Sequence, residues 1–124
     1  MAIETAGLDI GVLLAGADLS AAQFKLVKVS GADFTVNLTS AGTDVAIGIL
    51  QNKPTSGQVA DVRFAGASKA VAGASYSRGT YLMSDASARL ITATSTNVAV
   101  AIALEAAGAA GEIRSVLMLP GGKQ

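Results

Sequence analysis

The chain has 124 residues, no formal net charge and only 15% charged residues, against about 25% in ordinary soluble domains. That length fits one domain with no room for two independent cores. The absence of histidine and cysteine excludes Cys/His zinc sites, disulfides and histidine-activated nucleophiles, and the absence of net positive charge and of tryptophan argues against nucleic acid as a partner.

Residues 1–22 hold three carboxylates, Glu4, Asp9 and Asp18, and no base. Glycines at 7, 11 and 16 interrupt any helical run, so the segment reads as an extended N-terminal arm. With Glu4 in place of a basic n-region, it does not read as an export signal. The apolar run Ile10–Ala17 is far shorter than the ~20 residues that cross a bilayer, so no membrane partner is expected. The apolar residues of the arm, Ile3, Leu8, Ile10, Val12 and Leu13, are the candidate contact residues, offered to a neighbour by strand addition.

From residue 23 the hydrophobic pattern has period two, and residues 23–124 read as one β domain. Phe24–Val29 and Phe34–Thr39 are predicted strands joined by the turn Ser30-Gly31-Ala32-Asp33. In the second, Phe34, Val36 and Leu38 share a face. Val45–Leu50 and Val59–Phe64 follow, separated by a loop at Asn52–Gly57, and Gly66 ends the second of them. Ser68–Ala72, Thr80–Met83, Arg89–Ala93, Val98–Leu104 and Ile113–Leu119 complete the series, with a turn at Ser84–Ser87. Ala106–Ala110 could add a turn of helix, and Pro120-Gly121-Gly122 ends the last strand. Strands at intervals of about ten residues predict a small β-barrel or sandwich.

The halves resemble each other. Val45-Ala46-Ile47-Gly48-Ile49 aligns with Val98-Ala99-Val100-Ala101-Ile102, and Gly57-Gln58-Val59 with Gly111-Glu112-Ile113. A duplicated hairpin-plus-strands unit is expected, two copies facing each other about a pseudo-dyad around one shared core. Ala99, Ala101 and Ala103 form a row of small residues suited to close packing inside the barrel.

Catalytic chemistry finds no foothold. Asp33, Asp44 and Asp85 fall in turns, where Asp bonds nearby backbone amides. Glu105 and Glu112 flank a single loop and do not form an acid pair across a cleft. Gly66–Lys69 lacks the spacing of a phosphate loop, and Ser75 has no histidine to activate it. No catalytic residue, cofactor or metal is expected.

The order and spacing of Asp18–Phe24, Ile47–Pro54, Gly57–Arg63, Gly66–Gly73, Ser84–Ser87, Ala103–Ala107 and Gly111–Ile113 resemble the capsid cement, or head decoration, proteins of tailed bacteriophages. The resemblance runs from about residue 18 to residue 119. It departs at Ala88 and Ala101, where the family often has glycine. It implies a β-rich protein made in the host cytoplasm and carried on the outer surface of the virion. There it would bind the major capsid protein of the expanded head as a homotrimer, with no active site. The alternative is a virion-displayed carbohydrate- or cell-surface-binding module, for which Tyr76 and Tyr81 are the candidate stacking residues.

Overall fold

The computed structural model describes residues 7–123, and among them there are ten strands and no helix. Strands β1 (Leu8–Ala15), β2 (Leu26–Val29), β3 (Thr35–Leu38), β4 (Gly48–Leu50) and β5 (Val59–Ala65) form a closed barrel in the order β1-β3-β2-β4-β5. Strands β6 (Ala67–Val71), β7 (Tyr81–Ser84), β8 (Leu90–Thr92), β9 (Ala99–Ala103) and β10 (Ile113–Lys123) form a second sheet in the order β6-β10-β9-β7-β8. Gly66 alone separates β5 from β6. Its φ of 86° lies in the left-handed region that glycine occupies without a Cβ clash.

The second sheet repeats the first strand for strand. Read around the barrel, the first is β3-β2-β4-β5-β1 and the second β8-β7-β9-β10-β6. The local hydrogen bonds repeat as well. The Ala15 N–H donates to Gln58 O at 2.9 Å and the Ala72 N–H to Glu112 O at 2.8 Å. The N–H groups of Gly57 and Gly111 donate back to Ala15 O and Ala72 O, both at 2.8 Å. Those two glycines share a positive φ, 83° and 91°. The parallel β1–β3 pairing that closes the first barrel (Leu14 with Thr35, Ala15 with Val36) shrinks in the second unit to one bridge between Ala72 and Leu90.

Two apolar clusters form. One, with Leu13, Val27, Val36, Leu50 and Val62, fills the first barrel. The other fills the second unit and also takes in Leu26, Ala46 and Ile49 from the first, while Leu38 packs against both. Burying a side chain such as Leu26 or Ile49 is worth about 1.5–3 kcal/mol, so the shared cluster ties the units together. Ala99, Ala101 and Ala103 are all buried in the second unit, a row of small side chains in tight internal packing.

The join between the units is one-sided. The Leu26 N–H donates to Ala88 O at 2.9 Å, the Val71 N–H to Phe24 O at 3.1 Å, and Thr39 Oγ1 lies 2.7 Å from Ser84 Oγ. A pseudo-dyad would also press Tyr81, the equivalent of Leu26, against Phe34, the equivalent of Ala88. Both are exposed.

Three further differences from the sequence reading have local causes. Residues 8–15, expected within an arm that ends at 22, are extended, but as a strand of the closed barrel, and Leu13, Ala15, Leu19 and Ala22 lie in its core. The last strand runs through Pro120 to Lys123: its pairing with β9 skips from Met118 opposite Ala101 to Lys123 opposite Ala99, and Pro120 falls in the irregular stretch between them, where no ladder bond is asked of it. No helical turn forms at 106–110. Ala107 instead makes an antiparallel bridge with Tyr76.

Candidate functional site

Several acidic side chains serve the backbone, while Asp9 pairs with Arg63 at 2.8 Å. Asp44 accepts the Ser40 N–H at 2.7 Å, the Ala41 N–H at 3.2 Å and the Lys28 ammonium at 3.1 Å. The Ser40 amide, helped by Lys28, outweighs partial burial and holds its carboxyl below the usual range. Asp85 accepts the N–H groups of Ser87 and Arg89. Glu112 accepts the Gly108 N–H at 2.9 Å and an Arg114 guanidinium contact at 2.9 Å, while Glu105 accepts the Ser115 N–H. Arg114 lies 3.8 Å from Glu105, so the two glutamates brace one loop through one arginine. Among the described residues no three acidic groups converge to hold a metal ion, and no helix is long and apolar enough to cross a membrane.

One concave feature of the described surface is apolar. Beyond Leu14 and Ala15 no further β1–β3 pair forms, and an open groove of 510 Å³ lies between β1 and the β2–β3 hairpin. Ile10, Val12, Leu13, Val29, Ala32, Asp33, Phe34 and Ile47 line it, Asp33 being the one polar side chain among them. Phe34 is 64% and Val12 65% exposed. Large apolar residues this open are informative where they cluster around one concavity. Leu8, Leu14 and Val59 are also exposed, Leu14 and Val59 as a cross-strand pair on β1 and β5.

A second apolar feature is a stripe on the outer face of the second unit. Tyr81, Ile102 and Leu117 are cross-strand neighbours on β7, β9 and β10; Tyr81 and Leu117 are exposed and Ile102 half-buried. Tyr76 is buried, and burial followed by the Glu105 charge pushes its hydroxyl up from the usual tyrosine range. Of the two candidate sugar-stacking residues, only Tyr81 reaches the surface.

The structure distributes the candidate contact residues unevenly. Ile10, Val12 and Leu13 meet in the groove, where Leu13 is buried and supplies wall from within the barrel core. Leu8 is exposed outside the groove lining, and Ile3 lies outside the described residues. Strand addition at Leu14 and Ala15 is ruled out, because β3 occupies one edge there and β5 pairs with Leu14 on the other. Val29, Phe34 and Ile47 were missed. Phe34 was expected on the face of Val36 and Leu38, but a φ of 53° turns it away from that alternation and out to the surface. The parallel between β1 and β6 was legible: Ala15-Gly16-Ala17 recurs as Ala72-Gly73-Ala74.

The sequence matches no family model and no curated relative. Among solved structures the chain is similar to the head fiber gp8.5 N base of bacteriophage phi29, with a TM-score of 0.72 at 13% identity over 94% of this chain and 98% of that one. The likeness is one of fold and spans both units.

Proposed function

We propose that the chain is a non-enzymatic structural protein of a phage head, a cement that binds the outer surface of the expanded shell as a homotrimer and bridges neighbouring major capsid subunits. The observation that carries this reading is the end-to-end likeness of fold to a phage head fiber base. The apolar outer surface of β1 and β5 supports it: Leu8 and Leu14 on β1 and Val59 on β5 are exposed and suited to shape-matched contact. A ligand that binds only the assembled lattice stabilises that state by its binding free energy, and many copies bridging subunits multiply the effect.

The test is binding of purified protein to expanded and unexpanded heads that lack it. Saturable binding to expanded heads alone, little weakened by salt, with higher resistance of the heads to heat, is expected. Leu8→Asp combined with Leu14→Asp should abolish binding while the fold, read by circular dichroism, stays intact. Deleting the first 16 residues is no substitute, since it removes a barrel strand. Equal binding of wild type and variant, or no binding to heads, overturns the reading.

A further inference from the structure

The one-sided join between the two units leaves one half of the same contact open at each end of the molecule. Inside the chain, the first unit supplies a plug, Leu26 and Ile49, cross-strand neighbours on β2 and β4, both fully buried. The second unit supplies the socket, with Ala70, Ser84, Ala88 and Val100, all buried. The repeat assigns each of these an equivalent in the other unit. The socket positions correspond to Leu13, Val29, Phe34 and Ile47, which line the open groove. The plug positions correspond to Tyr81 and Ile102, which stand on the exposed stripe beside Leu117. Pairing register fixes both correspondences: Leu26 opposes Ile49 as Tyr81 opposes Ile102, and Val29 opposes Val36 as Ser84 opposes Leu90. Phe34 and Ala88 share the positive φ of one turn position, 53° and 62°.

Residue types at the open ends fit the same use. Where Arg63 flanks the inner plug, Leu117 flanks the outer one, making that end more apolar. The outer socket is apolar but for Asp33. Single exposed apolar residues are ordinary on a water-facing surface; their clustering in one groove and one stripe is what marks these two as contact surfaces.

We propose that the groove around Phe34 and Val12 receives the Tyr81–Ile102–Leu117 stripe of a second copy of this chain, repeating between molecules the head-to-tail contact that joins the two units within one. Such a contact is heterologous: each copy uses two different surfaces, and the series closes into a ring or grows as a filament. The backbone bonds of the inner join are not all reproduced, because Phe34 O already accepts the Leu14 N–H at 2.8 Å. The outer contact is therefore one of side chains, and reversible. The inference goes beyond shell binding and is tested on free protein, so its failure leaves that reading standing and the reverse.

Two variants separate the surfaces: Phe34→Asp blocks the socket, and Leu117→Asp blocks the plug. Both positions are exposed, and circular dichroism with a melting curve checks each fold. In sedimentation velocity the wild type should associate with rising concentration, each variant alone should stay monomeric, and an equimolar mixture of the two should form a dimer and nothing larger. A wild type that stays monomeric throughout, a folded variant that self-associates like the wild type, or a mixture that stays monomeric overturns the proposal. Because the chain has no cysteine, single cysteines give a second readout. Val12→Cys mixed with Tyr81→Cys should oxidise to the mixed dimer in excess over either homodimer. A statistical distribution of the three overturns the proposal.

Discussion

Thr39 Oγ1 and Ser84 Oγ lie 2.7 Å apart in the buried seam between the two units. Ser84 commits its one proton to Asp85 O at 2.8 Å, so the Thr39 hydroxyl is the donor between them. Ser84→Ala leaves that donor stranded and should cost about 1–3 kcal/mol, whereas Thr39→Val, which keeps the shape and leaves only a spare acceptor, should cost about 1 kcal/mol. The double variant should lose less than the sum, since the Thr39 donor that Ser84→Ala strands is then gone, while Asp85 O loses its hydroxyl donor in both. Urea titrations of the four proteins give the coupling energy directly; strict additivity would mean the hydroxyls do not interact.

Gly48 and Ala101 are equivalent positions with different room. A methyl at Gly48 would run into the Arg63 carbonyl and Val62 of the neighbouring strand, and a backbone atom cannot swing aside. Gly48→Ala should destabilise by about 1–3 kcal/mol through overpacking. A Tm equal to the wild type would show that β4 and β5 can separate without loss.

Ala88 sits at φ 62°, a conformation that costs a residue with a Cβ about 1 kcal/mol. Ala88→Gly removes that strain but also a buried methyl, so its Tm should stay close to that of the wild type. Ala88→Val, β-branched in a left-handed and fully buried place, should cost more than about 3 kcal/mol. Equal stability of the two variants would contradict this account of the turn.

Folding holds the carboxyls of Asp18, Asp44, Glu105 and Glu112 low. Asp18 is held by the Ser20 hydroxyl and amide, Asp44 by the Ser40 amide and then Lys28, and Glu112 by the Gly108 amide and then Arg114. A folded pKa below the unfolded one means that the fold favours the charged form. The stabilisation is complete above the unfolded value of about 4 and is lost as pH falls through the folded values. With no histidine to titrate, Tm should be flat from about pH 5 to 8 and drop below about pH 4. A Tm that falls between pH 7 and 6 would refute this.

The Tyr76 hydroxyl is buried without a hydrogen-bond partner. Tyr76→Phe keeps the ring and removes the stranded group, so stability should rise by about 1 kcal/mol. A loss on this substitution would reveal a partner for the hydroxyl.

Sequence alone determined the strand content and the duplication, because both rest on local rules. Alternation at Val59–Phe64 marks a half-buried strand wherever it lies, and Gly57 and Gly111 mark one turn twice because only glycine enters φ near 90° without strain. Local rules could not reach the role of residues 8–15. Their glycines lower every local propensity, and only pairing with β5, distant in the chain, makes them a strand. The groove was beyond them too. Phe34 reads as core by its spacing from Val36, and its outward turn depends on one backbone angle fixed by the Leu14–Phe34 hydrogen bond and the hairpin around it. Nor does the repeat disclose that Ala88 is covered while Phe34 is open. Which of two equivalent surfaces is buried depends on how the units dock, and docking is a property of the assembled surfaces that no stretch of residues carries by itself.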